Sequence, residues 1–379
     1  MKKALFIFFL GIFNLSIAQN IKEDSLYKKA QANVYNDPDK TIETAKYLLK
    51  REKSTDDIVT INLLIANAYL SKRNFDESLK YVLKAKSLQN KIEDPYRKIV
   101  LLTAIAIQYQ QMELFDKSLE SLDELDDQLT LYNGDKYLKY GEMAKSAAIR
   151  GMIYRNQYNA KLALEKFFVS VNYFQEVMKG KPASELKQTF ANLSVIYYNI
   201  AASYIDLKTL PKAQEYYLKS DEYAEKAEAK NLKAFALKGL AEVQTLKGEH
   251  KEAVNTLEEA LRYSTDIGDM MLSERIFRGL AENYFATGEF QKYREFNEKS
   301  FEIQRKREQN ELESINRTID AQTDETSRQN IEVKSRYSRY IDVVIALGSF
   351  ILLIALYMIR KIFIKNNELR RKVEEKINV

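Results

Sequence analysis

Ile65-Ala66-Asn67-Ala68-Tyr69-Leu70-Ser71-Lys72-Arg73-Asn74-Phe75-Asp76-Glu77-Ser78-Leu79-Lys80-Tyr81-Val82 reads as the end of one helix, a tight turn, and the start of a second helix. Three features carry that reading. Ala66 stands three residues before Tyr69, Ser78 nine residues after it, and Val82 four further on. Two antiparallel helices that pack closely need this arrangement. A small residue on the first helix admits the second, the Tyr plugs the gap between them, and a small residue on the second receives the first in return.

The same frame recurs along the chain. Tyr109, Tyr154, Tyr204 and Tyr284 follow Ala106, Gly151, Ala201 and Ala281. Each is in turn followed at the Ser78 position by Ser118, Ala163, Ala213 and Tyr293, and at the Val82 position by Leu122, Phe167, Tyr217 and Asn297. A further hairpin around Ala241, Ala253, Leu257 and Ala260 fits with Gln244 in the Tyr slot. The turns read Lys247-Gly248-Glu249, Thr287-Gly288-Glu289 and Arg73-Asn74-Phe75, where Gly and Asn accommodate the left-handed backbone that ends a helix. Asp37-Pro38 supplies a cap and a first-turn proline, and Pro211 suits another helix start. From residue 22 to 300 the apolar pattern is helical throughout. With only 11 Gly and 4 Pro in 379 residues, breakers are too few for a turn-rich sheet protein.

These residues resemble the tetratricopeptide repeat family. Six hairpins fit, and a seventh around Tyr27 to Lys50 fits as a capping unit does. The resemblance implies an all-α superhelical solenoid of antiparallel hairpins over residues 19–300. It also implies a concave groove that takes an extended peptide or a partner helix. The frame nominates Asn67, Gln110, Arg155, Asn156, Lys238, Glu242, Arg278 and Glu282 as groove-facing. Two departures stand out. Tyr69 to Tyr109 is 40 residues and Tyr154 to Tyr204 is 50, against about 34 in the family, so the helices or the connections are longer. Tyr293 and Asn297 fill positions where Ala and an apolar residue are usual, so the last hairpin is expected to pack loosely. Leu63 stands one turn before Asn67, which leaves the Lys–Asn carboxylate clamp of some family members unsupported.

Both ends carry features of exported membrane proteins. Met1-Lys2-Lys3, an apolar run from Ala4 to Phe13 and Ser16-Ile17-Ala18 have the three-part layout of a signal peptide over residues 1–18. The layout resembles exported proteins of the Bacteroidetes type. Val343 to Ile359 is without charge, and Arg360 and Lys361 close it, so 341–359 is expected to be a transmembrane helix. Residues 301–340 read as a polar helical stalk or a plain linker, and 360–379 as a short basic cytoplasmic tail. Leu369, Val373 and Ile377 form one helical stripe, so stalk and tail together offer a route to a homodimer. The resulting expectation is a single-pass protein of the bacterial inner membrane, with its repeat array in the periplasm.

Catalytic chemistry finds no foothold. The chain has no Cys and one His, which excludes thiolate nucleophiles, disulfides and the usual zinc sites. His250 falls in the repeat frame where Phe75, Phe115 and Phe290 stand elsewhere, as a packing residue at a helix start. Asp123, Glu124, Asp126 and Asp127 lack the Gly turn of a calcium loop and read as a solvated helix face. No phosphate loop or nucleophile elbow occurs. The net charge of +5 is small for this length and gives no reason to propose nucleic acid. The functional expectation is a non-catalytic interaction scaffold or sensor arm, without cofactor or metal, engaging a protein or peptide. The alternative is a degenerate or truncated membrane regulator, the sensory half of a histidine kinase or helix-turn-helix protein.

Overall fold

The computed structural model describes residues 24–34, 37–51, 54–72, 74–264 and 269–309, and toward the C-terminus 341, 345, 348, 349, 352, 356–367, 370 and 371. The chain divides into two units, residues 1–310 and 311–379.

In the first unit thirteen helices have both ends described. They are α1 (Asp24–Asn33), α2 (Pro38–Leu49), α3 (Thr55–Ser71), α4 (Phe75–Lys86), α5 (Pro95–Gln111), α6 (Phe115–Leu131), α7 (Lys136–Asn156), α8 (Ala160–Gly180), α9 (Lys187–Asp206), α10 (Leu210–Lys226), α11 (Lys230–Lys247), α12 (His250–Ser264) and α13 (Met270–Ala286). A fourteenth, α14, occupies 290–309. Among the described residues every regular element is helical. Side-chain caps start many of them: Asp37, Ser54, Asn74, Asp94, Asp135, Asn159 and Asp269 each accept from a backbone N–H of the first turn. Each such cap is worth about 1 kcal/mol. Asn74 has this role with φ −87°, so it opens α4 and is not the left-handed residue the turn reading expected.

Each odd helix from α1 to α11 packs on the even helix that follows, and α13 meets α14 through the Tyr284–Phe296 and Phe277–Phe296 ring contacts and the Ser300–Glu274 hydrogen bond, making seven hairpins. The small-residue frame does this work. Ala66, Ala106, Ala201 and Ala281 are buried, as are Ser78, Ser118, Ala163 and Ala213 on the facing helices. At Gly151 an added Cβ would come within 2.7 Å of the Phe167 ring, so the glycine is what lets α7 and α8 close together. A second device was not read from the sequence. Ser78 Oγ donates to the Ala66 carbonyl at 2.8 Å, Ser118 to Ala106 at 2.8 Å, Ser170 to Ala144 at 2.6 Å, and Thr41 to Ala30 at 2.9 Å. Ser194 and Ser220 each donate to the other's carbonyl. A buried hydroxyl must find an acceptor, and here it finds one already used within the partner helix, which fixes the two helices at hydroxyl-bond distance.

The long repeat spacing comes largely from helix length. α7 and α8 have 21 residues each and α9 has 20. The turns stay short and repeat one conformation. Four residues after Tyr109, Tyr154, Tyr204, Gln244 and Tyr284 the backbone is left-handed: Glu113 (φ 60°), Tyr158 (62°), Lys208 (58°), Gly248 (80°) and Gly288 (80°). In the last hairpin Tyr293 and Asn297 are only half-buried, and Tyr293 instead meets Phe285 edge-on at 5.2 Å between ring centres.

Odd helices also touch the next odd helix, from α3 to α13, whereas even helices do not pack on one another to a comparable extent. In a curved stack the helices on the inside of the bend are the closer ones. The odd helices therefore line the inner side of the array.

In the second unit the longest continuous described helix is 356–367. Among the described residues no helix is long and apolar enough to cross a membrane. That overturns the expected single-pass inner-membrane placement, with its periplasmic array and cytoplasmic tail. The physical reason is that 356–367 is shorter than the roughly 20 residues a span needs, and it carries Arg360, Lys361 and Lys365. The signal-peptide reading of 1–18, the stalk reading beyond residue 309 and most of 341–359 lie outside the described residues.

Candidate functional site

The inner side carries polar groups that the helix–helix contacts do not demand. Toward the N-terminal end these groups mostly satisfy one another. Arg97 of α5 reaches Asp57 of α3 at 2.9 Å and Thr60 at 3.0 Å, all buried. Glu142 of α7 accepts from Lys145 at 2.6 Å, from Thr103 at 2.8 Å and from the Tyr96 hydroxyl at 3.2 Å. This carboxylate, with burial, pushes the Tyr96 phenol well above its ordinary value, burial being the larger cause. Both networks tie one odd helix to the next and fix the register of neighbouring hairpins.

The nominated residues divide into two groups. Asn67 on α3 and Gln110 on α5 are buried, and Gln110 Nε2 has no hydrogen-bond partner among the described residues. Asn156, half-buried at the end of α7, likewise has an unpartnered Nδ2. Four of the others, Arg155, Lys238, Glu242 and Arg278, are joined by their fields. Arg155 on α7 pairs with Asp206 on α9 at 2.9 Å. Lys238 pairs with Glu242 along α11 at 2.5 Å, and Arg278 pairs with Glu274 along α13 at 3.2 Å. Glu282, on the same helix, is exposed. Electrostatics join these helices. Glu242 is held below the usual carboxylate range chiefly by Lys238, with Arg275 and Arg155 adding to it against the cost of burial. Lys238 is pulled below its ordinary value by burial, and Arg275 and Arg278 push the same way against the opposing pull of Glu242. The pair therefore holds a firmly ionised carboxylate beside a cation that is easier to neutralise.

Two members of this cluster were missed. Tyr198 on α9, 1% exposed, has a hydroxyl with no hydrogen bond of ordinary geometry. Burial above all, with the nearby Glu242 carboxylate adding to it and Arg275 and Arg155 opposing, pushes its phenol well above the ordinary tyrosine value. Its ring meets Tyr217 edge-on at 5.1 Å and Phe235 at 6.4 Å. Arg275 on α13 is the other. The frame held the signal for both: Tyr198, Lys238 and Arg278 each stand six residues before their Tyr-slot position, and Arg275 nine before.

His250 begins α12, half-buried, as the frame expects. Its Nδ1 also lies 2.8 Å from Asn283 Oδ1, and Asn283 donates to Thr245 and to the Gly279 carbonyl, so the residue bonds three helices together. Of the acidic cluster, Asp123 and Asp126 each hold Arg150 at 2.8 Å. Among the described residues no group of His, Cys, Asp and Glu is arranged to hold a metal ion.

Hairpins stacked with their first helices inside define a tetratricopeptide-type solenoid, and residues 192–266 match the tetratricopeptide repeat family's sequence model. No curated protein matches the chain. Among solved structures the fold is similar to a Rap protein complexed with Competence and Sporulation Factor (13% identity, 74% of this chain and 84% of that one, TM-score 0.53). It is similar to the Rap conjugation gene regulator of plasmid pLS20 in complex with the Phr* peptide (15% identity, 77% and 78%, TM-score 0.53). It is also similar to NprR in complex with its cognate peptide NprX (13% identity, 74% and 77%, TM-score 0.53). At such identities the likeness is one of fold.

Proposed function

We propose that the array is a non-catalytic scaffold that holds an extended peptide, or an extended segment of a partner protein, along the inner side of its odd helices. One observation carries the reading. Among the described residues, buried amide atoms without a hydrogen-bond partner in the chain gather on the odd helices, including Asn62 Oδ1, Gln108 Oε1, Gln110 Nε2, Asn156 Nδ2, Asn192 Oδ1 and Gln244 Oε1. Leaving such an atom unpaired costs roughly 1–3 kcal/mol. A side-chain amide offers both donor and acceptor, which is what an extended backbone can satisfy. Three proteins of similar fold are solved with a peptide or factor bound, which supports the same use here. Asn67, Gln110, Arg155, Asn156, Lys238, Glu242, Arg278 and Glu282 are the proposed groove residues.

The test is retention of a random octapeptide library on the immobilised full chain. Retention that falls on Asn156→Ala or Arg278→Ala, and is unchanged by Lys226→Ala on the even helix α10, is the expected result. A chain that retains no peptide, or whose retention ignores the inner substitutions, refutes the reading.

A further inference from the structure

The helix 356–367 of the second unit carries a surface of a kind the array lacks. Leu356, Met358, Ile359, Ile362 and Phe363 are each more than half exposed. At about 100° per residue all five fall on one side of the helix, across an arc of about 160°. Arg360 and Lys365 border that side at its two edges, and Lys361 lies opposite, with Tyr357 and Ile364 between Arg360 and Lys361. No acidic residue occurs in 356–367. In the array, exposed large apolar residues such as Leu131, Leu218 and Leu246 lie on three different helices, which is ordinary for a folded surface. Five contiguous ones on one helix side, edged by cations, form a patch of the kind that marks an interaction site.

The charges decide what covers it. A helix that pairs with a second copy of itself needs charges of both signs beside its apolar seam. Here the edges hold cations alone, so two copies side by side would set cation against cation in either direction. The apolar side is also wider than a two-helix seam. A surface of anionic phospholipid answers both features. It takes a broad apolar side at the boundary between acyl chains and headgroups, and it neutralises cations at the edges of that side. Arg360 and Lys365 have stems long enough to lie along the apolar boundary while their charged ends reach the phosphates. The Tyr357 ring, apolar with a polar tip, suits the headgroup level. We infer that helix 356–367 lies flat on an anionic phospholipid surface, without crossing it, and so tethers the array there. Ile359, Ile362 and Phe363 face the acyl chains, Arg360 and Lys365 hold phosphates, and Lys361 faces water. This inference is independent of the peptide-scaffold reading.

The experiment floats the full chain with vesicles of equal parts phosphatidylglycerol and phosphatidylcholine, and with vesicles of phosphatidylcholine alone. Binding to the mixed vesicles, little binding to the neutral ones, and weakening at high ionic strength are expected. Arg360→Gln and Lys365→Gln should each lower affinity for the mixed vesicles about fivefold, and Lys361→Gln should lower it less. Ile359→Ser with Phe363→Ser should lower it by more than tenfold. Each variant should keep the far-ultraviolet circular dichroism spectrum of the parent, since the helices of the array dominate it. No flotation with either vesicle overturns the inference, as does equal flotation with both. Retention on vesicles through high ionic strength and alkaline carbonate overturns it in favour of a helix that crosses. A dimer in vesicle-free solution that Phe363→Ser dissociates gives the apolar side to a second copy and overturns it too. Octapeptide retention is measured separately, so each of these failures leaves the scaffold reading standing.

Discussion

The hairpin turns give the sharpest quantitative expectation. Glu113, Tyr158 and Lys208 hold the left-handed backbone, at φ 60°, 62° and 58°, that Gly248 and Gly288 hold at φ 80° in the equivalent turns. For a residue with a Cβ that conformation costs roughly 1–2 kcal/mol. Substitution by Gly relieves it and returns about 0.5–1 kcal/mol of unfolded-chain freedom. The net gain is then about 0.5–1 kcal/mol per turn, or about 1.5–3 kcal/mol for Glu113→Gly, Tyr158→Gly and Lys208→Gly together, as the sites are in separate hairpins and should add. Little packing is lost, since all three side chains are exposed, Tyr158 at 85%. At about 2–4 °C per kcal/mol for a domain of a few hundred residues, the triple variant should melt several degrees higher by circular dichroism at 222 nm. Gly248→Ala should move the other way, by about 1 kcal/mol. A triple variant that melts at or below the temperature of the parent, or a stabilising Gly248→Ala, would refute the assignment of these turns.

Three further outcomes follow from the packing. Gly151→Val should destabilise by about 1–3 kcal/mol in urea unfolding, since its side chain must displace the Phe167 ring; an unchanged midpoint would show that α7 and α8 are not held together there. Glu142→Ala should cost about 3–5 kcal/mol because Lys145, Thr103 and the Tyr96 hydroxyl lose the buried carboxylate they share, and a loss near that of a surface substitution would rule the network out. Glu242 has a folded-state pKa below its unfolded value, so the stability it adds is fully present above about pH 4.3, the unfolded value, and is lost as pH falls through the lower folded value. Glu242→Gln should therefore flatten the acid limb of a stability-against-pH curve, and superimposable limbs would contradict that placement.

What the sequence disclosed, and what it hid, has a physical pattern. The Tyr and small-residue frame was legible because helix–helix approach tolerates few residue types at a contact, and Ala66, Ser78, Ala106 and Ser118 sit where that frame puts them. Gly248 and Gly288 marked their turns because glycine advertises a left-handed backbone. Glu113, Tyr158 and Lys208 adopt the same backbone without advertising it, and Arg73-Asn74 misled because Asn serves equally well as a helix cap. Buried ion pairs such as Lys145–Glu142 and Arg97–Asp57 were invisible, since charge in a helical pattern reads as surface until a partner from another repeat is in place. Tyr198 was lost among tyrosines that pack, because its ring is buried against Tyr217 and Phe235 as theirs are against their neighbours. The apolar run near the C-terminus spoke for a membrane span by composition alone, and the described helix there is too short and too charged to be one.

Hydrogen–deuterium exchange of the full chain, with and without a saturating peptide recovered from the octapeptide library, tests the inner-groove claim most directly. Slowed exchange confined to odd helices, from α3 to α13, is the expected result. Slowed exchange confined to the even helices α8, α10 and α12 would place the ligand on the outer side and contradict it.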